Sequence, residues 1–347
     1  MKVVITGGAG FIGVNAAEYF IQKGDQVVIF DNLSRKGTDE NIRWLCGRFP
    51  ETDFVRGDIR NAEECARLFQ KHGDASLVLH LAAQVAVTTS VVNPREDFEI
   101  NAAGSFNVLE GIRKYCPDSF VIYASTNKVY GRMDALGVAE KENRYGYADH
   151  PQGISENVSL DFYSPYGCSK GTADQYFRDY HRIYGLNTAV FRQSCIYGYR
   201  QFGVEDQGWV AWFIIAVVTG RPLTIYGDGK QVRDVLFIND LVKAFDMAYQ
   251  QRGVASGKIY NIGGGPDKTL SLLELLAMLE TIRGEKIKVK YSTWRPGDQK
   301  IYVSDIGRAE ADFGWAPKVS LKEGVEELYR WVEENKEMIL SKLGEAR

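Results

Sequence analysis

K-V-V-I-T-G-G-A-G-F-I-G-V-N-A-A-E-Y-F-I-Q-K-G, residues 2–24, decides the fold of this chain. Val3-Val4-Ile5 is an apolar, β-branched run, Thr6 to Gly13 carries Gly7, Gly8, Gly10 and Gly13, and Val14 to Lys23 has amphipathic helical spacing that stops at Gly24. The order is strand, glycine turn, helix. Glycine is needed because the chain turns sharply, its backbone must approach a ligand without an intervening side chain, and the helix must pack closely on the strand. The ligand such a turn accepts is a pyrophosphate, held where free N–H groups and the positive end of the helix dipole favour anions. Gly7, Gly10, Phe11, Ile12 and Gly13 are therefore expected to line a bound dinucleotide.

Working outward, short β-rich runs at Val3–Ile5, Val27–Phe30, Phe54–Val55, Leu77–Leu81, Phe120–Tyr123 and Thr188–Phe191 alternate with helical patterns. That alternation means βαβ units and a parallel sheet, and unbroken apolar runs such as Val27-Val28-Ile29-Phe30 require helices on both faces. The expected fold is α/β, a Rossmann-type doubly wound parallel sheet with a smaller α/β lobe at the C-terminal side. We read residues 1–198 as the dinucleotide-binding domain and 199–347 mainly as a substrate lobe, with room for some of its chain to return to the sheet. In that lobe Ser271 and Gly284 bracket one helix, and Ser320 with Glu323 forms a capping box for another. Residues 134–151 have many turn formers and little periodicity, and read as a surface loop near the site.

Asp31 ends the second strand, 18 residues past Gly13. A carboxylate there accepts from a ribose 2′-hydroxyl and repels a 2′-phosphate, which selects NAD over NADP. Asn32, Ser34 and Arg35 share its turn and are placed in the cofactor site, although an arginine at 35 could also pair with a phosphate. Asp58-Ile59 after the third strand either takes the adenine amino group and covers the ring or simply closes a turn.

Tyr166 and Lys170 are four residues apart behind Pro165, so a helix there places both on one face. A phenol with an ordinary pKa near 10 is a poor base at neutral pH, and an ammonium beside it favours the phenolate. The fifth strand ends at Ser125-Thr126, on the sheet edge where doubly wound folds bind ligands. Either hydroxyl could share a substrate oxygen with Tyr166, or only close the strand.

The remaining composition narrows the classes. A charged fraction of 25% and a formal net charge of -3 do not describe a polyanion binder, so no nucleic acid is expected. The longest apolar run, Trp209 to Val218, is about half of the ~20 residues that span a bilayer and reads as a buried helix, so no membrane is expected. Five dispersed cysteines without C-x-x-C pairing, and no charged or apolar leader before Val3, point to a reducing cytoplasm. His72, His80, His150 and His181 have no ligand spacing, and no metal is expected.

With T-G-G-A-G-F-I-G at 6–13, H-L-A-A-Q at 80–84, S-T-N-K-V-Y-G at 125–131, Y-G-C-S-K at 166–170, F-R at 191–192, G-D-G-K-Q-V-R-D at 227–234 and R-P-G-D at 295–298, the chain resembles the extended short-chain dehydrogenase/reductase superfamily over nearly its whole length. The resemblance implies an NAD-dependent enzyme of sugar nucleotides, with Thr126, Tyr166 and Lys170 as the catalytic triad and Ser125 one step earlier. It further implies that Leu81, Ala82, Ala83 and Gln84 line the NAD site, that Asn101 holds the loop beside it, and that Arg233 and Arg295 bind diphosphate. Asp298, Asn127, Lys128 and Cys195 join the substrate set, with Thr224, Tyr226, Arg200 and Gln201 as weaker candidates for base and ribose.

Where 4,6-dehydratases carry Asp-Glu after the triad hydroxyl, this chain has Asn127-Lys128, which disfavours dehydration. Cys195 stands where common 4-epimerases usually have Asn. Together with D-N-L-S-R-K-G at 31–37, D-F-Y-S-P-Y-G-C-S-K at 161–170, Y-R-Q-F at 199–202 and D-Q-G-W-V at 206–210, this is most similar to the CDP-tyvelose (CDP-paratose) 2-epimerase branch. The implied reaction inverts C2 of a CDP-hexose through a transient 2-keto sugar, by an enzyme expected to be a homo-oligomer. The alternatives are a 4-epimerase or another sugar-nucleotide oxidoreductase on the same scaffold, and an inert NAD-binding scaffold.

Overall fold

A computed structural model describes residues 1–295 and 298–343. Five strands precede residue 130: β1 (Lys2–Thr6), β2 (Gln26–Asp31), β3 (Asp53–Arg56), β4 (Leu77–His80) and β5 (Phe120–Thr126). With the strands Asn187–Gln193 and Ile259–Ile262 they form one seven-stranded sheet. Its order is β3-β2-β1-β4-β5, then 187–193, then 259–262, and every neighbouring pair is parallel. The order reverses direction between β1 and β4, which opens a crevice at the carboxyl edge.

Both faces of the sheet are buried. Val3, Ile5, Val27, Ile29, Leu77 and Leu79 point to one side and pack on α1 (Phe11–Gln22), while Val4, Val28, Phe30, Val78 and Val121 point to the other. The pleat sends alternate residues to opposite faces, so a strand apolar at every position must be covered twice. The first cluster continues without a break through the helix Trp209–Thr219 to the helices Leu272–Arg283 and Leu321–Glu334. The run at 209–218 is thus core, with Val210, Phe213, Ile214 and Ile215 buried.

Ser271 and Ser320 each cap their helix and each forms the reciprocal box, with Glu274 and Glu323, and Gly284 ends its helix at φ +78°. Residues 134–151 differ from the expected open loop. Val138–Glu140 and Tyr145–Tyr147 pair as an antiparallel hairpin, because Tyr145 packs on Val232, Ile301 and Val303 of the second lobe and draws three residues into register. A three-residue strand is too short to leave a periodic signal.

The long helix Ser164–Tyr184 is fixed to the sheet by a buried ion pair. Arg192 donates to both carboxylate oxygens of Asp174 at 2.9 Å, with side chains 2% and 0% exposed. Ser125 Oγ donates to the same carboxylate at 2.7 Å, and Arg192 Nη1 donates to Tyr130 at 3.1 Å. Replacing Asp174 by Asn leaves the Arg192 charge buried without its partner, and should cost about 3–5 kcal/mol. The measurement is the urea midpoint at unchanged denaturant slope; a loss below about 1 kcal/mol would show that the pair does not hold the helix.

Candidate active site

The glycine turn is shaped by contacts no side chain could survive. Gly7 has φ +71°, and a Cβ on it would lie 2.6 Å from the Ala82 nitrogen; one on Gly13 would lie 2.3 Å from the Gly7 oxygen. Gly10 is the N-cap of α1 and offers no capping side chain, and no acidic residue occupies the first turn. The first N–H groups of α1 are therefore left for an outside acceptor.

One cleft at the carboxyl edge is lined by Gly7, Gly10, Phe11, Ile12, Gly13, Asp31, Asn32, Ser34, Arg35, Asp58, Ile59, Leu81, Ala82, Ala83, Tyr166 and Lys170. Asn41, Gln193 and Gln201 line it too, and Asn41 Oδ1, Gln193 Nε2 and Gln201 Oε1 are buried without a hydrogen-bond partner. Buried polar atoms are rarely left unpaired, so three in one cleft fit an extended polar ligand. Gln193 was legible in principle: its strand ends at the same sheet edge as Asp31 and Thr126. The Asp31 carboxylate accepts from Ala9 N at 3.1 Å and Leu33 N at 2.8 Å, and burial raises its pKa. Asp58 accepts from Arg60 and from Asn32 Nδ2, at 2.9 Å for the latter, and the Arg60 hydrogen bonds hold its pKa down to about 2.

Gln84 and Asn101 do not line this cleft. Gln84 Nε2 donates to Asp97 Oδ1 at 2.8 Å, while Asn101 takes the Gln84 N–H at 2.9 Å and returns a bond to its carbonyl at 3.0 Å. Asn101 thus braces the loop after β4, and Gln84 belongs to the same brace.

Pro165 occupies the first turn of the 164–184 helix, and Tyr166 and Lys170 both point into the cleft. Lys170 Nζ donates to the Ala124 carbonyl at 2.6 Å and lies 4.3 Å from the centre of the Tyr123 ring. Burial lowers its pKa to about 7. Tyr166 is pushed up to about 12 by burial, opposed by the Thr126 hydroxyl and the Arg35 charge and reinforced by Asp97. The expected lowering by Lys170 is therefore not realised: its ammonium is turned to Ala124, and the low dielectric outweighs what opposes it. The structure also separates the two hydroxyls. Ser125 faces inward to Asp174, whereas Thr126 lies beside Tyr166 and accepts from Lys128 N at 3.2 Å.

The remaining candidates fall into two groups. Lys128 follows Asn127 in a 3₁₀ turn, donates to Gln299 Oε1 at 3.1 Å, and is pulled to about pKa 8 by burial and then by Arg233. Arg233 lies buried in the strand Val232–Phe237, which pairs on both edges, and donates to Asp298 at 2.8 Å. Cys195 opens the adjoining strand Cys195–Tyr197, its thiol pushed up by burial beside Arg233 and Trp209. The second group is Arg295, stacked 3.8 Å over the Tyr226 ring and bonded to Glu205 O and Asp206, with Thr224 in the same strand as Tyr226. Pro296 and Gly297 of R-P-G-D lie outside the described residues.

Arg200 and Gln201 join neither group. They line the dinucleotide cleft, with the Arg200 guanidinium 3.2 Å over Trp44 of the helix Thr38–Arg48, since Asn41 Nδ2 ties the Arg200 carbonyl to that helix. Among the described residues no cluster of His, Cys, Asp or Glu could hold a metal ion, and no helix is long and apolar enough to cross a membrane.

A doubly wound sheet whose glycine turn, edge hydroxyl and Tyr-x-x-x-Lys helix meet in one cleft defines an extended short-chain dehydrogenase/reductase. The chain belongs to the GDP-mannose 4,6 dehydratase family, whose profile matches residues 4–328, and it is an enzyme. It is 47% identical over 338 residues to CDP-paratose 2-epimerase of Salmonella typhi, covering 95% of this chain and 99% of that one. It is 35% identical to a putative UDP-glucose 4-epimerase of Methanocaldococcus jannaschii, over 96% and 99% of the two chains. Among solved structures, UDP-glucose 4-epimerase of Thermotoga maritima with UDP-glucose superposes with TM-score 0.84 at 31% identity, over 97% of this chain and 100% of that chain. The dTDP-glucose 4,6-dehydratase DesIV of Streptomyces venezuelae, solved with NAD, gives TM-score 0.83 at 28% identity, over 97% and 98%.

The two edge hydroxyls should respond differently to removal. Thr126→Ala should lower turnover by about 10²-fold, the scale of one lost proton-handling partner, with little change in stability. Ser125→Ala withdraws a donor from buried Asp174 and should cost about 1–3 kcal/mol of stability while turnover persists. Equal kinetic losses in both would contradict the assignment.

Proposed function

We propose that this enzyme inverts C2 of a CDP-hexose, interconverting CDP-paratose and CDP-tyvelose, with NAD as a recycled cofactor. The carrying observation is the near full-length similarity to CDP-paratose 2-epimerase, joined to a cleft lined by Tyr166 and Lys170, with the Thr126 hydroxyl bonded to the phenol. NAD fits the open N-terminus of α1, the unpaired polar atoms of the cleft and the Asp31 carboxylate, which favours a ribose hydroxyl over a phosphate. When bound, it supplies the two-electron acceptor that makes C2 a carbonyl and the donor that reduces it again.

Tyr166 takes the C2 hydroxyl proton and later returns it to the same oxygen. Thr126 donates to that oxygen and holds it within reach of the phenol. Lys170 must turn its ammonium from the Ala124 carbonyl toward the phenol to supply the charge that a phenolate in so dry a site requires. The lobe of residues 199–347 contributes Arg233 and Arg295 for the diphosphate, whose planar forks suit paired oxygens. Asn127-Lys128 offers no acid and base for loss of water.

The test is incubation with CDP-paratose deuterated at C2, without added oxidant. The label should return to C2 of CDP-tyvelose in H2O, as read by NMR and mass spectrometry. Loss of label to solvent would overturn the oxidation–reduction mechanism. Turnover of UDP-glucose but of no CDP-hexose would move the reading to a 4-epimerase.

The proposal extends to a homo-oligomer acting in the cytoplasm. Val92, Phe98, Phe106, Tyr176, Ile183 and Tyr184 are large apolar side chains left exposed on the helices between 87 and 184, Val92 by 85%. Sedimentation velocity should find more than a monomer, and Phe106→Glu together with Ile183→Glu should dissociate it; a wild-type monomer at micromolar concentration would end this part of the reading.

A further inference from the structure

A carboxylate outside the chemistry described so far lies behind the reacting pair. Asp97, in the helix Pro94–Phe98, is 1% exposed. It accepts from side chains that arrive from three elements: Gln84 Nε2 at 2.8 Å from the loop after β4, Asn101 Nδ2 at 3.1 Å from the π-helical segment Glu99–Gly104, and Ser169 Oγ from the 164–184 helix. Asn101 also donates to Ser169 Oγ at 3.1 Å, and the serine hydroxyl faces both Asp97 Oδ2 and the Tyr166 carbonyl, the latter at 3.2 Å. Two amide groups that can only donate meet at Oδ1 and a hydroxyl faces Oδ2, an arrangement that suits the ionised carboxylate even though burial opposes it. Among the described residues no cation pairs with Asp97 within 4 Å, whereas Asp174, the other carboxylate near Lys170, is bound at both oxygens by Arg192.

An unneutralised charge in a dry site acts strongly on its neighbours. Ser169 stands directly before Lys170, and the groups that face the ammonium are the Tyr123 ring, the Ala124 carbonyl, Asp174 and His80, the last kept neutral by burial. Tyr166 and Tyr123 feel the same carboxylate. Burial drives Lys170 toward the free amine; Asp174 and then Asp97 oppose it, and of these two only Asp97 has no cation partner within 4 Å among the described residues.

We propose that Asp97 is a positioning residue for the reacting pair: its fixed negative charge keeps Lys170 an ammonium ion, and its hydrogen bonds hold the first turns of the 164–184 helix against the loop after β4. This rests on the reading of Tyr166 and Lys170 as the groups that handle the proton. Removing the charge lowers the proton affinity of both, so both titrations move to lower pH.

The experiment follows the ¹³Cε resonance of Lys170 through a pH titration of full-length, lysine-labelled protein, assigned with Lys170→Arg. In Asp97→Asn the midpoint should fall by about one unit or more, a tenfold change, and the basic limb of turnover should move with it. Ser169→Ala removes one hydrogen bond and leaves the charge, so it should reduce turnover without moving that limb. Should Asp97→Asn not fold, Asp97→Ser removes the same charge and leaves room for water. An unmoved lysine midpoint, or an equal shift in Ser169→Ala, overturns the proposal. If the wild-type enzyme turns over no CDP-hexose, the substrate reading fails, and the lysine titration, which needs no substrate, decides Asp97 by itself.

Discussion

The bidentate pair between Arg192 and Asp174 is the constraint on which the site depends. It joins the strand 187–193 to the 164–184 helix, and through Ser125 it reaches β5, the strand that ends in Thr126. Through Tyr130, whose hydroxyl donates to Asn261 at 2.7 Å, it reaches the seventh strand. Two unit charges out of water are costly unless every remaining donor and acceptor is satisfied. Here the guanidinium and carboxylate satisfy one another, and two hydroxyls and the Gln175 amide add to the set, so four elements share one geometry. The helix that carries Tyr166 and Lys170 has no freedom to slide along the sheet edge.

The same exclusion of water sets the electrostatics of the cleft. Burial is the first cause of shift at Tyr166, Lys170 and Lys128 alike, and in each it disfavours the charged form. Specific neighbours then decide by how much, which is why the orientation of one ammonium matters. Lys170 points to Ala124 and Tyr123, so proximity in sequence to Tyr166 does not become attraction in space.

The chain after residue 198 is tied to the first half by polar contacts as well as by the shared core. Asn15 Nδ2 donates to the Tyr199 carbonyl at 3.0 Å, and Tyr19 and Lys23 hold Asp246 of the helix Ile238–Gln250 at 2.8 and 2.5 Å. Arg35 in the turn after β2 donates to Gln207, and Arg295 holds Asp206 beside it. The segment 199–207 therefore touches the dinucleotide cleft on one side and Arg295 on the other. Each of the two arginines has a carboxylate partner, Asp298 for Arg233 and Asp206 for Arg295.

The sequence by itself determined the sheet, the glycine turn, the capping boxes and the spacing of Tyr166 and Lys170. Each of these is a local demand: a turn that admits no Cβ, a strand apolar at every position, an N-cap serine followed by glutamate, a helix repeat of four. Only the tertiary structure decided which edge hydroxyl meets the phenol, because Ser125 and Thr126 are neighbours in the chain and differ only in the side of the strand they take. It also moved Arg200 and Gln201 to the dinucleotide cleft, put Arg233 on a buried strand, turned Gln84 to Asp97, and brought in Asn41, Gln193 and Asp97. These outcomes depend on contacts between residues far apart in the chain, such as Asn41 with Arg200 or Asp97 with Ser169, and on how completely water is excluded around them. Spacing along one strand or helix carries neither quantity.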